Sequence, residues 1–275
     1  MKKVFWTKTN IVLVVIAAII LSAGGYYLYA RKFSMLPDKA IGLLSSVREP
    51  EPTDRVLIIA PHFDDETIAA GGYIQRAEKN KAAVEIVIVT DGNRRGVGSE
   101  RKEEFTSVAK SLGATPQQLK LLNLPEFYLK EKVSKNDLAN TFKEQIDRFK
   151  TTIIVYPDSY DQNPDHKYIG QTLDDLLKLR TDLFAYTYLV HWKYFPQPVG
   201  LHTEKHMTPP VQLLDFSHNW QRFDLTQGEE SQKLTTLELY KSQLRYLLLH
   251  DLLVSMVREN ELFSQKLTPA SIIQP

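Results

Sequence analysis

Residues Arg55–Gly72 have the sequence RVLIIAPHFDDETIAAGG, and this stretch decides the fold class that we expect. The apolar run Val56–Ile59 is typical of a short strand that is buried on both faces. The polar residues His62, Asp64, Asp65 and Glu66 follow, and a helical pattern begins at Thr67. A polar loop between a strand and a helix lies at the carboxyl end of the strand, where open α/β sheets hold their ligands. The imidazole and the adjacent carboxylates of this loop could supply two metal ligands and a base.

The following residues alternate between strand and helix patterns. The predicted strands are Arg55–Ala60, Val84–Thr90, Lys120–Asn123, Thr152–Tyr156 and Leu183–Val190. The predicted helices are Thr67–Asn80, Glu100–Leu112, Lys135–Phe149 and His166–Leu179. Residues 195–223 are rich in proline and predicted to be irregular, whereas 231–263 have a helical apolar period. The alternation indicates an α/β fold: a Rossmann-like, mostly parallel sheet with helices on both faces.

The N-terminal region predicts one transmembrane helix. Ile11–Ala30 contains no charged residue over 20 positions, enough to cross a hydrocarbon layer of about 30 Å at roughly 1.5 Å per residue. The tyrosines near its far end suit the membrane interface. The alternative is a cleaved signal peptide with its small residues at Ser22–Gly24, but the apolar run continues past them to two cations, which favours a retained anchor.

Charge sets the expected orientation and excludes one class of partner. Three lysines precede the apolar run and two cations follow it, a difference that favours a cytoplasmic N-terminus and an extracytoplasmic catalytic domain. The formal net charge of +1 over 275 residues gives no indication of nucleic-acid binding. We divide the chain into a signal anchor (1–32), a linker (33–53), the catalytic domain (54–265) and a tail (266–275).

A second polar loop follows the predicted strand at 152–156 and ends at His166. A doubly wound sheet can bring His166 next to His62 and Asp65. Two imidazoles and one carboxylate are a usual ligand set for catalytic zinc, with one position open for water. Asp64 would then be free to accept a proton from that water. Spacing alone also fits a divalent-metal phosphoesterase.

Several blocks of the chain resemble the PIG-L/LmbE-like deacetylases, zinc-dependent enzymes that remove N-acetyl groups from glucosamine-containing conjugates. APHFDDETIAAGG resembles their (P/A)HPDDE signature, and NPDH at Asn163–His166 resembles a second block that is commonly HPDH. The motifs TDG, RKEE, YLVHWKYFPQP, KLTTLELYKSQ and VRENELF extend the resemblance over roughly 54–263.

The resemblance implies a site with Zn²⁺ or another divalent metal as cofactor. Its implied metal ligands are His62, Asp65 and His166, and its general base is Asp64. Arg101, at the start of RKEE, corresponds to the family arginine that contacts substrate. Glu66 and Asp165 are expected to support the two loops.

The chain departs from the family pattern at Phe63, where proline is usual, and at Asn163, where the first histidine of HPDH is usual. That histidine is thought to stabilise the oxyanion and to assist the leaving amine. Asn163 can donate a hydrogen bond but cannot supply a proton. His191 follows a predicted strand, so we assign it to the substrate side of the site as a candidate replacement.

These observations lead to one functional hypothesis and two alternatives. The hypothesis is a membrane-anchored, metal-dependent amidase that removes an N-acetyl group from an amino-sugar conjugate, with a metal-bound water activated by Asp64. The anchor suggests a lipid-linked saccharide or an envelope glycan as substrate. The alternatives are a metal-dependent phosphoesterase and a glycan-binding module with a vestigial metal site, which Asn163 would favour.

Overall fold

The strands of the computed structural model, which describes residues 7–94, 96–180 and 182–266, form one sheet. They are β1 (Ser45–Ser46), β2 (Arg55–Ala60), β3 (Ala83–Thr90), β4 (Leu119–Leu124), β5 (Ile153–Pro157), β6 (Phe184–Tyr188), β7 (Asn219–Asp224) and β8 (Asn260–Lys266). Their order in the sheet is β1-β7-β8-β6-β5-β2-β3-β4. Strand β8 is antiparallel to both of its neighbours, and the other pairs are parallel.

Helices precede the sheet and cover both of its faces. They are α1 (Lys8–Lys32), α2 (Asp65–Lys79), α3 (Gly98–Ser111), α4 (Leu129–Lys132), α5 (Lys135–Phe149), α6 (Pro164–Leu177), α7 (Gln227–Leu237), α8 (Lys241–Leu244) and α9 (Leu247–Val254). Short 3₁₀ helices lie at Asp38–Leu43, Pro116–Gln118 and Val211–Leu213. The predicted α/β class and mostly parallel sheet are therefore confirmed.

The continuous apolar run of β2 is explained by its central position. Val56, Ile58 and Ala60 pack into the core on one face of the sheet. Leu57 and Ile59 pack into a separate core on the other face. Because successive side chains of a strand point to opposite faces, a strand covered on both sides needs apolar residues at every position.

The prediction for the C-terminal region was wrong in two places. Residues 195–223 are not irregular throughout, because strand β7 begins at Asn219. The region 231–263 is not one helical tail: α7, α8 and α9 are followed by β8, which lies between β6 and β7. Strand β8 (NELFSQK) carries buried polar side chains, among them the hydrogen-bonded Asn260 and Glu261, so it lacks the apolar run that identified β2.

Part of the segment at 33–53 packs on the sheet. Strand β1 pairs in parallel with β7, and Val47 is buried in the core. Asp38 accepts a hydrogen bond from the backbone N–H of His206 at 2.8 Å. Apart from Lys266, the tail predicted at 266–275 lies outside the described residues.

Helix α1 is the one helix in the described ranges that is long and apolar enough to span a membrane. None of its residues is buried by the rest of the chain. Its end contacts the loop after β6: the ring of Phe33 lies 6.3 Å from that of Trp192, and Lys193 lies over the ring of Tyr29 at 4.3 Å. Helix α1 thus ends beside a loop that follows a central strand.

A buried ion pair connects α7 to β8 and gives a stability prediction. Lys233 Nζ lies 2.7 Å from Glu261 Oε1, and both residues are fully buried. Glu261 also accepts hydrogen bonds from backbone N–H groups of α2, at 2.7 and 2.9 Å. We expect Lys233→Met to lower the free energy of unfolding by about 3–5 kcal/mol, because it leaves a buried carboxylate without its cation.

Urea unfolding followed by tryptophan fluorescence measures this effect. The matched control is Lys143→Met, which removes a lysine paired with Asp147 on an exposed helix face and should cost no more than about 1 kcal/mol. Equal losses in the two variants would contradict the prediction.

Candidate metal centre and surrounding cavity

The two polar loops identified in the sequence lie side by side at the carboxyl edge of the sheet. Strand β2 pairs with β3 on one side and β5 on the other, so the chain reverses direction across the sheet at β2, as it does at ligand sites of doubly wound folds. The loop after β2 carries His62 and Asp64, and the loop after β5 leads into α6, which carries His166. Helix α6 packs closely here: a Cβ on Gly170 would lie 2.6 Å from the carbonyl oxygen of Pro157.

The three predicted metal ligands converge on one point. His62 Nδ1 and His166 Nε2 lie 3.2 Å apart. Asp65 Oδ2 lies 3.2 Å from His62 Nδ1 and 3.0 Å from His166 Nε2. All three residues are buried. The structure thus brings together residues that are separated by about a hundred positions in the sequence.

The surroundings of the two imidazoles fit a cation at this point. The outer nitrogen of each ring faces a carboxylate: His62 Nε2 lies 3.1 Å from Asp165 Oδ2, and His166 Nδ1 lies 3.4 Å from Asp161 Oδ2. A neutral imidazole whose outer nitrogen carries the proton presents a lone pair at its inner nitrogen. The inner nitrogens and the Asp65 carboxylate are then three acceptors facing one another, an arrangement that requires a positive charge between them.

The spacing of these atoms also suits zinc. Ligands about 2.0–2.1 Å from a tetrahedral Zn²⁺ are separated from one another by roughly 3.3 Å, and the distances in the cluster are 3.0–3.2 Å. Neutral imidazole with carboxylate is a donor set that zinc prefers, and three protein ligands leave a position open. The side chains of His62, Asp65 and His166 therefore fit a zinc ion.

The pKa values of the cluster reflect its demand for positive charge. Burial lowers the pKa of His62, but its hydrogen bonds with Asp165 and Asp65 outweigh burial and raise it to about 9. Burial likewise opposes protonation of His166, and the nearby Asp65 and Asp161 carboxylates raise its pKa to about 10. Protons occupy these nitrogens when no metal does, so metal and protons compete for the same lone pairs.

Asp64 lies next to the cluster without belonging to it. Its side chain lines the same cavity as His62 and Asp65, and its backbone has φ 122°, an unusual value for a residue other than glycine. Burial raises the pKa of Asp64 to about 8; Arg101 acts in the opposite direction, whereas Asp65 and Glu66 add to the rise. A buried, strained carboxylate with a raised pKa is typical of a functional group.

Arg101 reaches this loop from α3. Its Nη2 donates to the carbonyl oxygen of Phe63 at 2.6 Å and lies 3.5 Å from Asp64 Oδ2. Its Nη1 lies 3.4 Å from Glu126 Oε1, and its buried Nε has no hydrogen-bond partner among the described residues. Phe63 occupies the position where proline is usual in the family. Its backbone carbonyl oxygen accepts a hydrogen bond that helps to position Arg101.

Glu66 supports the loop from below. It accepts hydrogen bonds from the Tyr240 hydroxyl at 2.6 Å, the Thr67 hydroxyl at 2.6 Å and the backbone N–H of Asp64 at 3.2 Å. Asp165 occupies a comparable place on the other loop, where it accepts from the backbone N–H of Phe127 at 2.5 Å as well as from His62. The two carboxylates thus each hold a backbone N–H group beside the cavity, and their predicted supporting roles remain predictions.

Asn163 begins helix α6. Its Oδ1 accepts hydrogen bonds from the backbone N–H groups of Asp165 at 2.9 Å and His166 at 3.4 Å, as an N-cap residue does. The side-chain amide nitrogen takes no part in this cap. Asn163 also lines the cavity of His62 and Asp64, so a donor group is present where the family histidine is absent.

Asp161 was given no role by the sequence, although it lies in the second polar loop. Its Oδ2 accepts hydrogen bonds from the backbone N–H groups of Val190 at 3.0 Å and His191 at 2.9 Å. The two carboxylate oxygens face different rings: His166 Nδ1 at 3.4 Å and His191 Nδ1 at 3.6 Å. Asp161 thus connects the candidate metal ligand His166 with His191. Because the two histidines follow different strands, this connection is visible only in the fold.

Together these side chains surround a polar cavity of about 180 Å³, which we call the catalytic cavity. Its lining includes His62, Asp64, Asp65, Arg101, Glu126, Asn163, His191 and Gln243. His191 is the most exposed of the candidate residues, with 45% of its side chain accessible. His166 and the supporting carboxylates lie behind this lining.

Solved structures with this fold include deacetylases. N,N′-diacetylchitobiose deacetylase from Pyrococcus horikoshii has a TM-score of 0.58 at 19% identity, covering 80% of this chain and 86% of its own. The conserved protein TT1542 from Thermus thermophilus has a TM-score of 0.55 at 18% identity, covering 77% and 94%. The zinc-inhibited form of teicoplanin deacetylase Orf2 has a TM-score of 0.57 at 14% identity, covering 78% and 98%. At these identities the likeness establishes the fold alone.

Comparison with sequence families identifies the chain more closely. No curated protein sequence matches it significantly. Residues 57–177 match the family model of PIG-L, the GlcNAc-PI de-N-acetylases. The matched range includes most of β2, both polar loops and α6, and the loops and α6 carry the convergent histidines and carboxylates. The segment 57–177, which carries both polar loops, therefore matches the PIG-L family, and the chain is a deacetylase, a hydrolase that acts on amide bonds.

Proposed function

We propose that this protein is a membrane-anchored, zinc-dependent deacetylase that removes an N-acetyl group from an amino-sugar conjugate. One observation carries the proposal: three buried acceptors, from His62, Asp65 and His166, face one another at 3.0–3.2 Å beside an uncoordinated carboxylate, Asp64. When bound there, Zn²⁺ supplies Lewis acidity, which polarises the amide carbonyl and lowers the pKa of the attacking water.

The residues around the cluster suit the two halves of amide hydrolysis. Asp64 accepts a proton from the water while the oxygen of that water forms a bond to the carbonyl carbon of the acetamide group. The amide group of Asn163 can donate a hydrogen bond to the oxyanion that develops on the carbonyl oxygen. The C–N bond then breaks, acetate leaves, and the sugar nitrogen takes up a proton to become the amine. Arg101 helps to hold Asp64 and the substrate.

We assign the proton donor for the leaving amine to His191. Its ring lies at the mouth of the catalytic cavity and 4.5 Å from the ring of His166. Asp161 faces its Nδ1 at 3.6 Å, which would leave Nε2 free to deliver the proton. In the family, the HPDH block supplies such a carboxylate and imidazole from one loop. Here the carboxylate would come from Asp161 in the loop after β5, and the imidazole from His191 in the loop after β6.

His191→Gln tests this assignment. We expect kcat to fall by about 10²–10³-fold, because a positioned general acid contributes about 10²–10⁴-fold, while the bound zinc stays the same. The control is His202→Gln, a histidine of similar exposure that pairs with Glu204 away from the site. Steady-state acetate release with metal analysis gives the comparison, and an unchanged kcat in His191→Gln would remove the residue from the mechanism.

The proposed location follows from α1. Its length, its exposed apolar residues and the cations around it support a retained anchor with the catalytic domain outside the cytoplasm. An anchored enzyme meets substrates at the membrane surface, so a lipid-linked saccharide or an envelope glycan is the proposed partner. A reporter fused after Gln274, active on only one side of the membrane, tests the orientation.

Metal analysis combined with acetate release from N-acetylglucosamine conjugates tests the activity. We expect about one zinc per chain and acetate release that stops on chelation and returns with zinc. Phosphatase activity in place of acetate release would favour a phosphoesterase. If metal binds but no amide is hydrolysed, the glycan-binding module remains as the hypothesis. If no metal binds, metal-dependent amide hydrolysis is excluded.

A further inference from the structure

The loop after β6 lies beside the last turn of helix α1. Lys193 lies over the ring of Tyr29 at 4.3 Å and donates a hydrogen bond to the hydroxyl of that tyrosine. The ring of Phe33, the residue that ends α1, lies 6.0 Å from that of Tyr194 and 6.3 Å from that of Trp192. Three consecutive residues of the loop thus contact one turn of the helix.

These contacts set the depth of the loop relative to a membrane that α1 spans. Tyr29 belongs to the apolar run Ile11–Ala30, and the cations Arg31 and Lys32 follow that run directly. Tyrosine and cations at the end of a membrane helix lie in the headgroup layer. A loop in contact with Tyr29 lies in the same layer, and its own tryptophan, lysine and tyrosine at 192–194 are residue types that are stable there.

A second segment leads from the same end of α1 to exposed apolar side chains. The backbone N–H of Val211 donates to the carbonyl oxygen of Ser34 at 2.8 Å. Within 211–216, Val211, Leu214 and Phe216 have exposed fractions of 43%, 44% and 108%. Single exposed apolar residues are common on proteins, whereas a group of them marks an interaction surface.

The turn that carries Phe216 is held in place by hydrogen bonds of its neighbours. Asp215 Oδ1 accepts from the backbone N–H of Ser217 at 2.9 Å and from its hydroxyl at 2.5 Å. The indole N–H of Trp220 donates to the carbonyl oxygen of Leu213 at 2.7 Å. The ring of Phe216 therefore projects at full exposure from a fixed turn.

The loop and the turn form one surface that reaches the catalytic cavity. Trp192 and Ser217 line the same open cavity, which connects the loop with the turn. His191, directly before Trp192, lines the catalytic cavity. We call the residues 192–194 and 211–216 the docking face. A bilayer in contact with the docking face would lie close to the mouth of the catalytic cavity.

We propose that the docking face rests in the headgroup layer of the membrane and fixes the orientation of the catalytic domain. This rests on the membrane anchor of the proposed function and adds a second contact, which the catalytic domain itself makes. The lipid surface is the occupant of the docking face, because the face begins at the helix that enters the bilayer. Helix α1 alone limits the distance of the domain from the membrane, and the docking face sets which side is turned toward it.

The test uses the absence of cysteine from the chain, which allows single cysteines to be labelled with a fluorophore in the full-length protein. Phe216→Cys and Val211→Cys lie in the docking face. The control is Gln117→Cys, an exposed position before β4, the strand at the other end of the sheet from β7. In nanodiscs of phospholipid brominated near the headgroup, we expect about a twofold loss of fluorescence at 211 and 216, because interfacial side chains lie within roughly 5–10 Å of that layer, and no loss at 117.

A substitution within the docking face shows whether the face itself determines this depth. Adding Phe216→Asp to the labelled Val211→Cys protein should reduce its quenching to the level of the Gln117 control, because a carboxylate is expelled from the headgroup layer. Phe216→Leu keeps an apolar side chain and should keep the quenching. Equal quenching in the Asp and Leu variants would overturn the proposal, since α1 alone would then set the depth.

A label inside α1 separates the docking face from the anchor. Ile20→Cys lies within the apolar run and is measured with lipid brominated near the chain ends. Quenching at 20 without quenching at 211 and 216 would reject the docking face and keep the anchor, also where the two positions are shielded from aqueous iodide, since protein would then cover them. Quenching at 211 and 216 but not at 20 would reject the anchor and keep the docking face. Quenching at none of the three positions would reject both.

Discussion

Asp64→Asn should reduce acetate release by about 10³-fold or more while the protein keeps its zinc. Asparagine has almost the same shape as aspartate but accepts no proton, and general-base catalysis contributes about 10²–10⁴-fold. The metal should stay because the donor atoms come from His62, Asp65 and His166. Asparagine also tolerates a positive φ about as well as aspartate, so the backbone at φ 122° should persist.

The measurement is kcat on one N-acetylglucosamine conjugate together with zinc per chain in the same preparation. Asp182→Asn provides a control that removes an exposed carboxylate paired with Arg180, and it should leave both quantities unchanged. The environment of Asp64 makes the result informative, because burial and neighbouring charges raise its pKa to about 8. An Asp64→Asn variant that retains more than a tenth of the wild-type kcat would exclude Asp64 as the base.

His166→Gln should lower zinc affinity by more than 100-fold and abolish turnover. Loss of a residue that merely orients a ligand typically costs 10–100-fold in metal affinity, so loss of a ligand should cost more. His166 is fully buried and supplies the donor atom of the second loop. Competition with a chromogenic chelator measures the affinity, and zinc should raise the thermal midpoint of the wild type but not of the variant.

A graded variant keeps this prediction informative should His166→Gln fold poorly. Asp161→Asn removes the charge that faces His166 Nδ1 at 3.4 Å and leaves the three donor atoms in place. We expect its zinc affinity to fall by about 10–100-fold. Wild-type affinity in both variants would show that zinc binds elsewhere.

Some strands and site residues could be predicted from the sequence and others could not, depending on which parts of the fold surround their side chains. Strand β2 was recognisable because both of its faces are covered and every position is apolar. His62, Asp65 and His166 could be grouped because each follows or opens an element at the same sheet edge. Strand β8 was missed because it carries buried polar residues such as Asn260 and Glu261, whose hydrogen-bond partners lie far along the chain.

Asp161 shows the corresponding limit within the site. Its position in a polar loop was visible in the sequence, but its two oxygens face rings on different elements, His166 on α6 and His191 after β6. Such a relation depends on the separation of neighbouring strands and on side-chain direction. A mainly apolar pocket beside His191 was hidden for a similar reason, because Trp192 and Phe195 in its lining lie more than fifty positions before Leu249 and Leu252.

The place of β8 in the sheet has a consequence for synthesis of the protein on the ribosome. The strands of the parallel half, β2 to β6, are made in an order that lets each find a neighbour soon after it emerges. Strand β7 can pair with the short strand β1 as soon as it emerges, but it joins the rest of the sheet only through β8, which lies between β7 and β6. Until then the nascent chain exposes two open strand edges, which invite pairing with other chains. The last strand to emerge joins the two parts of the sheet, so a ribosome stalled shortly before residue 260 would hold a chain that has made all residues of the candidate metal centre but has an unfinished sheet.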